Sequence, residues 1–158
     1  AIRDEIKIYS LQICHHADEK RVKEVFQILH VVQELSQIND SITKILHRRA
    51  EKWIDRHYSF SDESKNEILE CHRHTLHIFK DAIETFETYN LQKAKTLKKQ
   101  KQKFEKMIKI MEQSHFERLI SGDTKDIQSS KTQLEIIHIL NNITLNSINI
   151  VKNIVSID

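Results

Sequence analysis

The chain has 158 residues, of which 30% are charged, and its 25 basic and 23 acidic side chains nearly cancel to +2. That balance argues against a polyanionic partner recognised by overall charge, and a single glycine, Gly122, leaves no Gly-rich phosphate loop. No apolar run approaches the roughly 18–20 residues that span a bilayer, and no signal peptide is visible.

With no proline and long segments of 3.6 periodicity, the chain predicts an all-α fold with few loops. Its length suits one domain, or two small fused repeats. Cys14 and Cys71 stand far apart without a CxxC pattern, which predicts free thiols in a reducing compartment. Ala1, rather than Met, points to a processed chain or an excised domain.

The first helix is expected over about 2–14, with Ile6, Tyr9, Leu11 and Ile13 as its apolar residues. A polar corner follows, in which Asp18 can cap the next helix. The second helix is expected over about 21–55. Val22, Val25, Leu29, Val32, Leu35, Ile38, Ile42, Ile45, Leu46 and Trp53 keep its seam, for a rod of roughly 50 Å. Ser61 or Ser64 can cap the third helix, with Ser64 and Glu67 as a capping box. That helix runs to about Tyr89 through Ile68, Thr75, Leu76, Phe79, Ile83 and Phe86.

Asn90 marks a corner, and the fourth helix extends over about 91–120 on the seam Ala94, Leu97, Lys101, Phe104, Ile108, Met111 and His115. Lys101 interrupts that seam and is expected to snorkel or to face a partner's acid. Gly122 and Asp123 supply the stop, and residues 124–130 supply the cap of the fifth helix. Short turns make each helix an antiparallel neighbour of the next, so the expected architecture is an antiparallel helical bundle.

Residues 133–151, QLEIIHILNNITLNSINIV, carry the densest apolar arc. Opposite it, Asn142, Asn146, Asn149 and Asn153 recur at spacings of four, three and four. Asn is a modest helix former, so this stripe is either a solvated outer face or an interaction surface.

Two segments echo each other: LSQINDSITKI at 35–45 and LNNITLNSINI at 140–150 overlay without gaps. Both resemble the signature segments of the PhoU-like family, typically L-E-R-I-x-D-H-x-x-N-I. HFERLISGD at 115–123, followed by SSKTQLEIIHILNNI, is similar to the H-x-E-R-L-x-x-G-[ED] region of the PhoU-like domain at the C-terminus of bacterial sodium/phosphate cotransporters. The resemblance implies tandem three-helix repeats over 1–56 and 61–158, with the first helix of repeat one missing. It further implies a non-catalytic regulatory or interaction domain at the cytoplasmic face of the bacterial plasma membrane, involved in phosphate transport. Its implied partners are an upstream membrane transporter domain of the same polypeptide, a second copy of the chain in a homodimer, or a signalling protein.

Family members that bind metal carry acids at the Glu and Asp positions of that motif, four residues apart on one helical face. Here those positions are Ser36 and Asp40, then Asn141 and Leu145. One carboxylate of four survives, and Lys44 is placed to pair with it, so no metal or other cofactor is expected. Asn149 keeps the family's Asn.

A zinc site from Cys71, His72, His74 and His77 with Cys14, His15 and His16 lacks a recognised spacing. No catalytic arrangement is legible, since His115, Glu117 and Arg118 are read as closing a helix end. The lysines of the fourth helix are spread around it and are read as marking a solvated helix, a few of them offset by Glu84 and Glu87, with anionic headgroups as an alternative contact. Nucleic acid is not expected, because arginines and aromatics are few there. Two alternatives remain: a free-standing PhoU-like regulator of phosphate uptake, and a metal-binding helical bundle.

Overall fold

The computed structural model describes residues 2–15, 17–56, 59–122 and 124–152. Five rods make up the described residues, which contain no strand. Helix α1 spans Ile2–Cys14. Helix α2 is one continuous rod built from Glu19–Asp40, a π-helical stretch Ser41–Leu46, and His47–Arg56. Helices α3, α4 and α5 span Asp62–Thr88, Leu91–Ser121 and Thr124–Lys152.

The helix ends follow the local chemistry. Asp18 accepts from the Arg21 N–H at 2.8 Å, and Asn90 accepts from the Gln92 and Lys93 N–H groups, both at 3.0 Å. Gly122 closes α4 with a left-handed φ of 84° and donates its N–H to the Arg118 and Leu119 carbonyls. Tyr89 takes the same region at φ 50° without being glycine. At α3 the cap is Ser61, whose Oγ accepts from the Ser64 N–H at 3.2 Å. Ser64 is therefore inside the first turn, and Glu67 does not close a capping box with it. Residues 124–130 likewise belong to α5 itself; Asp123 and residues 153–158 lie outside the described residues.

Helix α5 is the axle of the fold, touching α2, α3 and α4. Its sequence requires this position. Ile137, Ile139, Leu140, Ile143, Ile148, Ile150 and Val151 are all buried, and at ~100° per residue they cover about half the helix circumference, an arc wide enough to face several neighbours at once. From Ile139 to Val151 no side chain is exposed.

The expectation that consecutive helices are neighbours fails at one step. Helices α2 and α3 run in opposite directions but do not pack side by side, because α5 lies against both. Helix α3 runs parallel to α5 instead, in the most extensive contact of the bundle. Its inward strip is mostly small: Ser64, Cys71, Thr75, Ala82 and Thr85, with Ile78. Small side chains let the two backbones approach, so Thr75 Oγ1 reaches the Leu140 carbonyl at 3.4 Å and Thr144 Oγ1 donates to Thr75 Oγ1 at 3.1 Å. Leu76, expected on the seam, is exposed.

On α4 the seam is as read: Ala94, Leu97, Phe104, Ile108, Met111 and His115 are buried. Lys101 bends to Glu105 of its own helix at 3.4 Å. On α2 the seam breaks. Ile42 and Ile45 are 47% and 46% exposed, whereas Ser41 and Glu34 are buried. The π-helical stretch shifts the register by its wider turn, so that Ile42 and Ile45 stand at the margin of the α5 contact while Leu46 packs against the core. Trp53 closes the rod against buried Phe60, with ring centroids 4.5 Å apart.

Candidate functional site

The two signature segments lie on α2 and α5, which run antiparallel in a register set by polar side chains. Asn149 stands opposite the first half of α2, where its Nδ2 donates to Glu34 Oε2 at 3.4 Å and its carbonyl lies 3.1 Å from His30 Nε2. The other Glu34 oxygen lies 3.8 Å from the same imidazole nitrogen. A carboxylate buried to this degree requires such donors. Further along, Arg49 pairs with Glu135 at 3.1 Å, beside a groove of 310 Å³ that Ile45, Leu134 and Ile139 help to line.

The motif positions themselves are occupied locally. Ser36 Oγ donates back to the Val32 carbonyl at 2.8 Å. Asp40, as expected, takes Lys44 at 2.8 Å. Asn141 and Leu145 are half-buried on α5. A multinuclear metal centre wants several anionic oxygens converging. These four positions bring one carboxylate, turned outward to a lysine, and so do not fit that group. Of the asparagine stripe, Asn142 approaches His138 at 3.2 Å, Asn146 is half-buried, and Asn149 is engaged by α2; Asn153 lies outside the described residues.

A second polar cluster ties α3, α4 and α5 together near one end of the bundle. Arg118 makes a bidentate pair with Glu67, its two terminal nitrogens 2.9 and 2.7 Å from the two carboxylate oxygens, and also donates to Ser114 Oγ at 2.7 Å. Gln133 donates to Glu67 Oε2 at 2.7 Å and accepts from Ser64 Oγ at 2.8 Å. Nearby, fully buried His115 lies 2.8 Å from Ser130 Oγ. Arg118 thus reaches across to α3 instead of serving its own helix end. His115 and Arg118 face inward while Glu117 is exposed, so the three do not form an acid–base set. The sequence reading missed the role of Glu67 and Gln133; the available signal was a Glu and a Gln on the inward arcs of otherwise apolar or small-residue helices.

The zinc reading separates in space. Cys71 is buried against the core, whereas His72, His74 and His77 are exposed. Burial pushes the Cys71 thiol up to about 12, with its hydrogen bond to Thr75 pulling the other way. Among the described residues no three His, Cys, Asp or Glu side chains converge to hold a metal ion; His16 lies outside them. Of the acids expected to offset the α4 lysines, Glu84 binds Lys93, with Asp81 at 3.6 Å. The hydrogen bond that Lys93 donates to Glu84 holds its ammonium above the usual lysine range.

No family model, no curated protein and no solved structure matches the chain. No described helix is long and apolar enough to cross a membrane.

Proposed function

We propose that this chain is a non-catalytic regulatory or interaction domain of a bacterial sodium-dependent phosphate transporter. In this reading it works at the cytoplasmic face of the plasma membrane and acts by contact with the transporter's membrane portion. The proposal rests on the PhoU-like resemblance of the segments at 35–45, 115–123 and 140–150. One structural observation supports it: the two helices that carry the signature segments lie antiparallel against each other, joined by Glu34 and Asn149. Helices α3, α4 and α5 contact one another pairwise as a three-helix unit, which suits a second repeat, and α1 with α2 would form the first. A non-catalytic role agrees with the polar groups that come together, because Glu67, Arg118 and Gln133 satisfy each other inside the bundle.

The test is an in-frame deletion of this chain from its gene in the parent bacterium, followed by sodium-dependent phosphate uptake at low and high phosphate. The reading expects uptake to change, or to lose its response to phosphate supply. Unchanged uptake at both concentrations overturns it.

A further inference from the structure

Between Thr88 and Met111 the chain holds eight lysines and one acid, Glu105. Lys93 pairs with Glu84 and Asp81, and Lys101 with Glu105. The other six, Lys95, Lys98, Lys99, Lys103, Lys106 and Lys109, are all exposed. Their spacing puts them on one broad arc of α4, opposite the buried seam of Ala94, Leu97, Phe104 and Ile108. At ~1.5 Å per residue the arc runs for about 21 Å. Among the described residues no ion pair involves Lys95, Lys99, Lys103, Lys106 or Lys109, although Glu70 shares a groove with Lys103 and Lys106.

The same arc continues into apolar side chains. Ile110, Phe116 and Ile120 are 68%, 56% and 86% exposed. Two exposed acids, Glu112 and Glu117, fall in the same stretch, and Glu117 accepts from Gln113 at 3.0 Å. A face that couples lysines with protruding aliphatic and aromatic groups matches a surface that is anionic outside and apolar just beneath. Duplex or single-stranded nucleic acid would use the lysines but not the apolar end, and the arc carries neither arginine nor a stacking aromatic among its lysines.

We propose that the outward face of α4 binds an anionic lipid bilayer, with the six lysines at the headgroups and Ile110, Phe116 and Ile120 entering the acyl boundary. The inference stands on this arc and does not require that the chain belong to a phosphate transporter. Each lysine held near an anionic surface raises the partition constant by roughly fivefold.

The test is co-sedimentation of the full chain with vesicles of neutral phosphatidylcholine and with vesicles containing about 30% phosphatidylserine. Binding is expected to the anionic vesicles alone, and to fall steeply between about 0.1 and about 0.5 M salt. The triple variant Lys99→Gln, Lys103→Gln, Lys106→Gln should lose roughly a hundredfold in partition while its melting curve overlays that of the unaltered chain. Phe116→Ser with Ile120→Ser should weaken binding and leave its salt dependence in place. Equal binding to neutral vesicles overturns the proposal, as does no binding to anionic ones or full binding by the triple variant. Tighter binding to duplex DNA at the same salt overturns it in favour of a nucleic-acid surface.

Discussion

Residues 35–45 of α2 and 140–150 of α5 align one for one, and each buries the isoleucine at its fourth position, Ile38 and Ile143. Beyond that point they part. The eleventh position is Ile45, 46% exposed, in one segment and Ile150, 0% exposed, in the other. The sixth is Asp40, paired with Lys44, against half-buried Leu145. The helix on the flank of the bundle can widen into a π-turn and keep an ion pair in water. The axle helix has neighbours on three sides and keeps a regular register with neutral side chains. Position in the bundle, more than ancestry of the frame, accounts for which polar groups each segment tolerates.

The largest test of that contrast is Ile143→Asp. An unpaired carboxylate among α2, α3 and α4 should cost at least ~4 kcal/mol and abolish the cooperative thermal transition. A melt at the unaltered temperature would break the assignment of α5 as the axle. A graded version compares alanine at the eleventh positions. Ile150→Ala should cost about 3 kcal/mol in a urea titration, and Ile45→Ala less than about 1 kcal/mol. Equal losses would mean that the π-stretch does not turn Ile45 outward.

Amide exchange sharpens the comparison without a mutation. The amides of residues 41–46 should exchange faster than those of 143–150, because the flank helix opens at lower free energy than the axle. Smallest is the pH effect at Cys71. Burial raises its folded value to about 12, against about 8.5 in an unfolded chain. The unfolded state therefore ionises first, so this contribution is complete below pH ~8.5 and is lost as pH rises towards 12. The urea midpoint should fall between pH ~8 and ~10, and Cys71→Ala should flatten that decline. At neutral pH a maleimide should label half-buried Cys14 before Cys71.

Much of the secondary structure was legible because its signals are local. Asp18, Asn90 and Gly122 mark ends by their own side chains or their lack of one, and the α4 seam keeps one arc on both sides of Lys101. What stayed hidden depends on partners distant in the chain. The parallel α3–α5 contact follows from the small strip of Ser64, Cys71, Thr75 and Ala82 meeting the broad apolar arc of α5, and neither segment names the other. The π-stretch leaves no distinct periodicity over six residues, so Ile42 and Ile45 fell on the expected seam. At the site, the Asp40–Lys44 pair could be read from an (i, i+4) spacing. The Glu67–Arg118 pair, 51 residues apart, could not.

The placement of α5 also bears on how the chain is made. A ribosome releases α1 to α4 before the helix on which three of them pack, and the contacts Ser64–Gln133 and Thr75–Thr144 each span 69 residues. Until α5 emerges, α3 and α4 can close on each other and α1 on α2, but the sides of α2, α3 and α4 that face α5 remain open to water or to other nascent chains. Of the five described helices, the keystone is therefore the last to be made. Its yield in a cell should depend on chaperone capacity during translation more than on the stability of the finished bundle.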